Sequence, residues 1–254
     1  MSISDPLVVP RSKSLLDTAT EIFSSYARLA EGELPQDPIS NLQVRLSRWG
    51  TQFSGIDGEV ACVLGQGEEI GELVEAVAGK LEDPGSFSME GSGDKWYENA
   101  SKGQVGALEH IFDAIGDILI YSCQLASNLQ LDFSTILREG EGLKQKAAKN
   151  TSEDLAELGW ALLGLTAATG RIQHATLKNK QKLRGYDNEL KYKTEVLDGM
   201  VQIARFCTQI SEQLNEKVFT VFFQVSERVM RRDWKKNSLT GGEGTPEVNP
   251  VSGG

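Results

Sequence analysis

Four carboxylates crowd nine residues of the chain, in Gly-Glu-Glu-Ile-Gly-Glu-Leu-Val-Glu at 67–75. At about 100° per residue, Glu68, Glu72 and Glu75 stack on one helical face with Glu69 at its edge, while Ile70, Leu73, Val74 and Val77 point the other way. Some forty residues later Asp113 and Asp117 stand one turn apart, with Gln124 in line and Ile111, Ile115, Ile118 and Leu119 opposite. The plain alternative is that each row is the wet side of an amphipathic helix. A wet side normally mixes signs, yet neither row has a lysine or arginine among its acids. Like charges one turn apart cost about 0.2–0.5 kcal/mol per pair, so something positive should offset them. Each row also holds a glycine, Gly71 or Gly116, where a helix-interior glycine costs about 1 kcal/mol against alanine. Such a residue suggests the close approach of another helix or a ligand. If the two helices pack antiparallel, their acids converge on an oxygen-rich pocket suited to a hard divalent cation.

Those acids need helices to carry them, and the helical period dominates from about residue 13 onward. Candidate helices run over 13–31, 39–54, 58–81, 104–129, 133–148, 152–183, 188–214 and 216–235, with no convincing strand. The fold class expected is all-α, a helical bundle. Gly-Glu-Leu-Pro-Gln-Asp-Pro at 32–38 breaks the first helix from the second, and Asp83-Pro84-Gly85 opens a glycine- and serine-rich stretch over 82–103. From Lys235 the chain turns to Gly, Pro, Thr and Ser, too poor in apolar residues to order itself. The organisation expected is an N-terminal helical extension (1–38), a first unit with the acids (39–148), a second unit (149–236) and a disordered tail (237–254).

Composition narrows the function. Lys+Arg 26 against Asp+Glu 36 gives a net charge of −10, the wrong sign for gripping a nucleic-acid polymer. No run of apolar residues is long enough for a membrane span, and Met-Ser-Ile-Ser-Asp-Pro lacks the regions of a signal peptide. Cys62, Cys123 and Cys207 form no CxxC pair and lie among apolar residues, as small buried hydrophobes of a reducing compartment do. The location expected is cytoplasmic.

The two units share an apolar stripe. With an offset of 85, residues 112–121 fall on 197–206, matching Asp113 with Asp198, Tyr121 with Phe206, Leu125 with Ile210 and Leu129 with Leu214. With an offset of 99 the preceding helix aligns as well, Leu64 on Leu163 and Gly71 on Gly170. The chemistry differs: Glu68, Glu69, Glu72 and Glu75 fall on Ala167, Ala168, Arg171 and His174, and Asp117 on Gln202. This reads as a tandem pair of helical repeats, the second without the acids and serving as an internal dimer partner.

Glu69-Ile-Gly-Glu72-Leu, followed by Asp113-Ala-Ile-Gly-Asp117-Ile-Leu-Ile-Tyr, resembles the MazG-like all-α nucleoside triphosphate pyrophosphohydrolases, whose signature is ExxE, a spacer and ExxD. Arg231-Arg232-Asp233-Trp234-Lys235-Lys236 resembles the end of such a domain, and His174-Ala-Thr-Leu-Lys178 with Arg184-Gly185 the region of its first helix. The resemblance covers roughly 40–236. The third acid of the signature would fall at Ala114, with Asp113 the nearest carboxylate. The resemblance implies a bundle in which Glu69, Glu72 and Asp117, assisted by Asp113 or Glu68, hold Mg²⁺, with Mn²⁺ an alternative. That metal would grip a triphosphate and activate the water that releases pyrophosphate.

Around that core the candidate substrate contacts are Trp49, with Phe53, to stack on a base, although core packing is the commoner role of an aromatic. Lys80, Lys95 and Lys102 are candidates for the phosphates. Arg231 and Arg232 offer fork-like phosphate contacts from the second unit, or else only complement a helix dipole. The partners expected are a nucleoside triphosphate and further copies of the chain as a homo-oligomer. The competing readings are a module that binds nucleotide without hydrolysing it, and a hydrolase of another pyrophosphate-containing metabolite such as an alarmone.

Overall fold

The computed structural model describes residues 37–50, 58–82, 107–147 and 154–231. They form helices α1 (Pro38–Gly50), α2 (Gly58–Glu82), α3 (Ala107–Asn128), α4 (Phe133–Ala147), α5 (Asp154–Lys180), α6 (Glu189–Gln213) and α7 (Val218–Arg231). No strand occurs among the described residues, so the all-α bundle expected from the periodicity is the fold. The expected helix at 13–31, the 82–103 loop apart from Glu82, and the 237–254 tail lie outside the described residues.

Two antiparallel hairpins form the body. In α2 and α3, Gly58 faces Asn128, Gly65 faces Tyr121, and the Gln66 amide donates to the Ser122 hydroxyl over 2.8 Å. In α5 and α6, Gln213 donates to Glu157 over 3.1 Å, Gly164 faces Phe206, and Gly199 lies under Ile172. A methyl group at Gly65 would sit 2.3 Å from the Tyr121 ring, and one at Gly164 2.2 Å from the Phe206 ring. Both glycines are therefore fixed by an aromatic ring lying on the opposing backbone, at the close-packed density of an interior. The hairpins are tied to each other where Glu59 of α2 accepts from Lys180 of α5 at 2.8 Å and from the Tyr192 hydroxyl of α6 at 3.2 Å.

The helices that follow each hairpin cross over. α4 packs on α6, where Gly140 approaches Val201 and Ala204, and α7 packs on α3, where Gly116 meets Val225. α7 has the pattern for it: Val218, Val221, Phe222, Val225 and Val229 all fall on one stripe and are buried. The turns leading into α4 and α7 have the same geometry. Gln130 at φ 59° and Asn215 at φ 58° occupy the left-handed region. The Leu131 amide donates to Ala126 O over 2.8 Å, as the Glu216 amide does to Ser211 O over 2.9 Å. Both are helix stops in which the residue past the cap turns left-handed so that a later amide satisfies an orphan carbonyl. α1 clamps the first turn through buried Gln43, which donates to Leu131 O at 2.7 Å and accepts from the Phe133 amide at 2.9 Å.

Every offset in these pairs is 99 along the first helix of a hairpin and 85 along the second and third, the offsets at which the two sequence halves align. All three cysteines are buried and free, as expected of small apolar side chains. Among the described residues no helix is long and apolar enough to cross a membrane.

The glycines separate into tight and open positions. Among the described residues Gly71 and Gly170 have nothing near the place of a methyl group, so none of these makes the close approach expected at Gly71, whereas that expected at Gly116 is made by Val225. Gly65→Ala and Gly164→Ala should each destabilise by about 1–3 kcal/mol through overpacking. Gly71→Ala and Gly170→Ala should stabilise by about 0.5–1 kcal/mol through helix propensity. Urea denaturation of the four variants measures both signs.

Candidate functional site

The antiparallel register of α2 and α3 decides where the acids lie. From Gly65 opposite Tyr121, one turn forward along α2 reaches Glu69 and one turn back along α3 reaches Asp117. Both helices therefore bring a carboxylate to the same level, beside the Tyr121 ring. The electrostatics agree: burial pushes the Tyr121 phenol well above its ordinary range, and the negative charges of Glu69, Asp117 and Glu68 push it further. Tyr121 is thus a half-buried side chain that feels the charges of three carboxylates from two helices, while Ile118, Ser122 and Leu125 of the same helix are buried.

The remaining members of the acidic row spread outward. Glu68, Glu72 and Glu75 are exposed on α2, whereas Glu69 and Asp117 are half-buried. Asp113 is turned away from this group: its carboxylate forms an ion pair with the Arg228 guanidinium of α7. Ala114, at the position of the signature's third acid, is buried in the core at 2% exposure, so an acid there would not face solvent in this packing. Among the described residues no three His, Cys, Asp or Glu side chains form a ready-made metal-holding group. The carboxylate oxygens of Glu69 and Asp117 are nevertheless the donor type that Mg²⁺ takes. That ion is usually held by one or two carboxylates, with water and substrate phosphates completing its shell, rather than by a closed protein cage.

Of the expected substrate contacts, Trp49 is half-buried and packs against the core at the end of α1. Arg231 is exposed at the end of α7. The Lys80 side chain, Phe53, Lys95, Lys102 and Arg232 lie outside the described residues.

Two residues carry roles the sequence reading did not assign. Tyr121 stands one turn beyond Asp117 in the same row, and that spacing was the available signal. Arg228 is buried in the stripe that begins Val221 and Val225, where a lone cation among apolar positions marks a hidden partner.

The second hairpin shows the same frame with other side chains. Ala168, Gln202 and Phe206 stand where the first has Glu69, Asp117 and Tyr121, so the acids and the hydroxyl differ together. Arg171, in the place of Glu72, pairs with Asp198 over 3.2 Å, and Asp198 is in the place of Asp113. Compared with known protein families, with curated proteins and with solved structures, the chain has no match.

The convergence of acids can be read without any ligand. A carboxylate beside a phenol disfavours the phenolate, so removing one must lower the pH at which Tyr121 ionises. Glu69→Gln and Asp117→Asn should each move the Tyr121 titration downward and Glu75→Gln should leave it in place, as followed by the ring Cζ carbon resonance of labelled tyrosine.

Proposed function

We propose that the chain is a Mg²⁺-dependent pyrophosphohydrolase that splits nucleoside or deoxynucleoside triphosphates into a monophosphate and pyrophosphate. In this reading it is a MazG-like tandem protein whose first hairpin carries the chemistry. Its second hairpin is an acid-free copy completing the bundle. What supports the reading is the register that brings Glu69 of α2 and Asp117 of α3 to one level beside half-buried Tyr121, whose ionisation the charges of Glu69, Asp117 and Glu68 oppose. The matched turns and matched glycine–aromatic contacts of the two hairpins support the duplication, since two unrelated segments have no reason to share offsets of 99 and 85.

Glu69 and Asp117 would hold the ion from opposite helices, with Glu68 and Glu72 reaching in from the solvent side of α2. The chemistry such an ion supplies is neutralisation of the phosphate charges and activation of a water at neutral pH. Tyr121 stays protonated throughout the neutral range, because burial and three negative neighbours oppose its ionisation. Its hydroxyl is therefore a fixed donor, fit to orient a carboxylate or a phosphate oxygen. The substrate arrives from the exposed side, where Glu72 lies.

A binding module without turnover is the second reading, favoured by buried Ala114 and by the commitment of Asp113 to Arg228. The two readings part on one experiment. The purified protein, given a panel of NTPs and dNTPs, should release pyrophosphate only with Mg²⁺ or Mn²⁺. Glu72→Gln and Asp117→Asn should reduce the rate by on the order of 10²-fold, the scale of losing a charge-stabilising group. Metal-dependent nucleotide binding by calorimetry with turnover at background would select the binding module, and neither binding nor turnover would remove both.

A further inference from the structure

We infer that Arg228, brought from the second half of the chain by α7, is a positioning residue for the acidic pocket of the first half. It withdraws the Asp113 carboxylate from the row and sets how much negative charge remains for a cation. The inference deepens the pyrophosphohydrolase reading and rests on it.

The geometry begins with the crossing of α7 over α3. Val225 lies against Gly116, and a methyl group at that glycine would sit 2.4 Å from the valine side chain. From this contact three residues onward along α7 is Arg228, and three residues back along α3 is Asp113, where the two form their ion pair. Arg228 is 7% exposed, on a stripe otherwise filled by Val221, Phe222 and Val225. A guanidinium is expensive to bury unless a counter-ion meets it, and Asp113 supplies one here. Asp113 in turn stands one turn from Asp117. Left without a cation, it would add a like charge one turn from Asp117.

The second half shows what happens otherwise. Leu143 of α4 stands in the place of Arg228, an apolar residue where the other crossing helix has a cation. Asp198 is instead matched inside its own hairpin by Arg171, and Arg171 occupies the position that is Glu72 in the first half. Each half thus neutralises the same aspartate by a different route. Supplying the cation from α7 leaves position 72 free to remain acidic. Supplying it from the hairpin's own first helix removes that acid. The pocket of the first half is therefore composite: its carboxylates come from α2 and α3, and its charge balance from α7.

The test uses the intact chain in four forms, wild type, Arg228→Met, Asp113→Asn and the double variant. Mn²⁺ binding is read by calorimetry and pyrophosphate release is read in parallel. Arg228→Met removes a positive charge beside the pocket and should tighten Mn²⁺ by about threefold or more. Asp113→Asn leaves that positive charge uncompensated and should weaken it by a similar factor. The double variant should return close to wild type. Arg228→Lys keeps the charge and should bind Mn²⁺ as wild type does, which covers the case in which Arg228→Met does not fold. A wild-type protein that binds Mn²⁺ while its constant is unmoved by Arg228→Met and Asp113→Asn, or by Asp113→Asn alone where Arg228→Met does not fold, overturns the inference and leaves the pyrophosphohydrolase reading standing. A wild-type protein with neither Mn²⁺ binding nor turnover overturns both.

Discussion

The packing of one aromatic ring on one glycine sets the level at which everything else in the candidate site meets. With Tyr121 lying across Gly65, α2 and α3 approach more closely than side chains would otherwise permit, and their relative height is fixed. A slip of one turn would carry Glu69 past Asp117 to the level of Asp113 or Tyr121. Close packing transmits such a constraint because interiors have no slack to absorb it. The polar pair between Gln66 and Ser122, buried one residue further on, pins the same register by hydrogen bonding, since either group left alone in the core would carry a desolvation cost.

Much of this was legible in the residue pattern, for reasons that separate local from non-local information. The helices were readable because periodicity and the breaks at prolines and glycines are properties of neighbouring residues. The observed bounds of α2, Gly58–Glu82, and of α4, Phe133–Ala147, differ by one residue from those expected. The acidic rows were readable because helical angle follows directly from spacing. Their convergence depended on an antiparallel pairing the chain could only suggest. Asp113 shows the limit most clearly. By spacing it belongs with Asp117, and only the arrival of α7 from more than a hundred residues away gives it another partner. Gly71 fails in the opposite sense: its type implied crowding, yet the structure leaves it open, because glycine's cost in a helix does not say what compensates it.

The crossing of α4 and α7 makes the two halves mutually dependent. Neither hairpin buries the outer face of its second helix with its own third helix. α3 relies on α7 and α6 relies on α4, so the side chains at the two crossings, Val225 against Gly116 and Ala204 against Gly140, are removed from water jointly. Burial of a valine side chain is worth about 1.5–3 kcal/mol, so a half deprived of its partner would expose a costly face. The ion pair of Arg228 with Asp113 and the bond of Arg45 to Glu227, which ties α1 to α7, follow the same cross-half direction. A mutation in the second half thereby acts on residues beside the first half's acids without touching them.

The different fates of the two hairpins follow from one electrostatic constraint. A helix face carrying several like charges is unfavourable unless a cation is present, and the chain meets that condition in two ways. In the second hairpin the cation is built in, since Arg171 sits within the face and pairs with Asp198. Ala168 and Gln202 remove the remaining acids, and the face becomes neutral and self-sufficient. In the first hairpin Arg228 pairs with Asp113, and Glu68 and Glu72 stay exposed while Glu69 and Asp117 are half-buried. The backbone frames are alike, so the folding of the hairpin does not demand the acids: the second is built without them. A row of like charges retained where the same frame can do without it is the ground for proposing the first hairpin, rather than the second, as the working one.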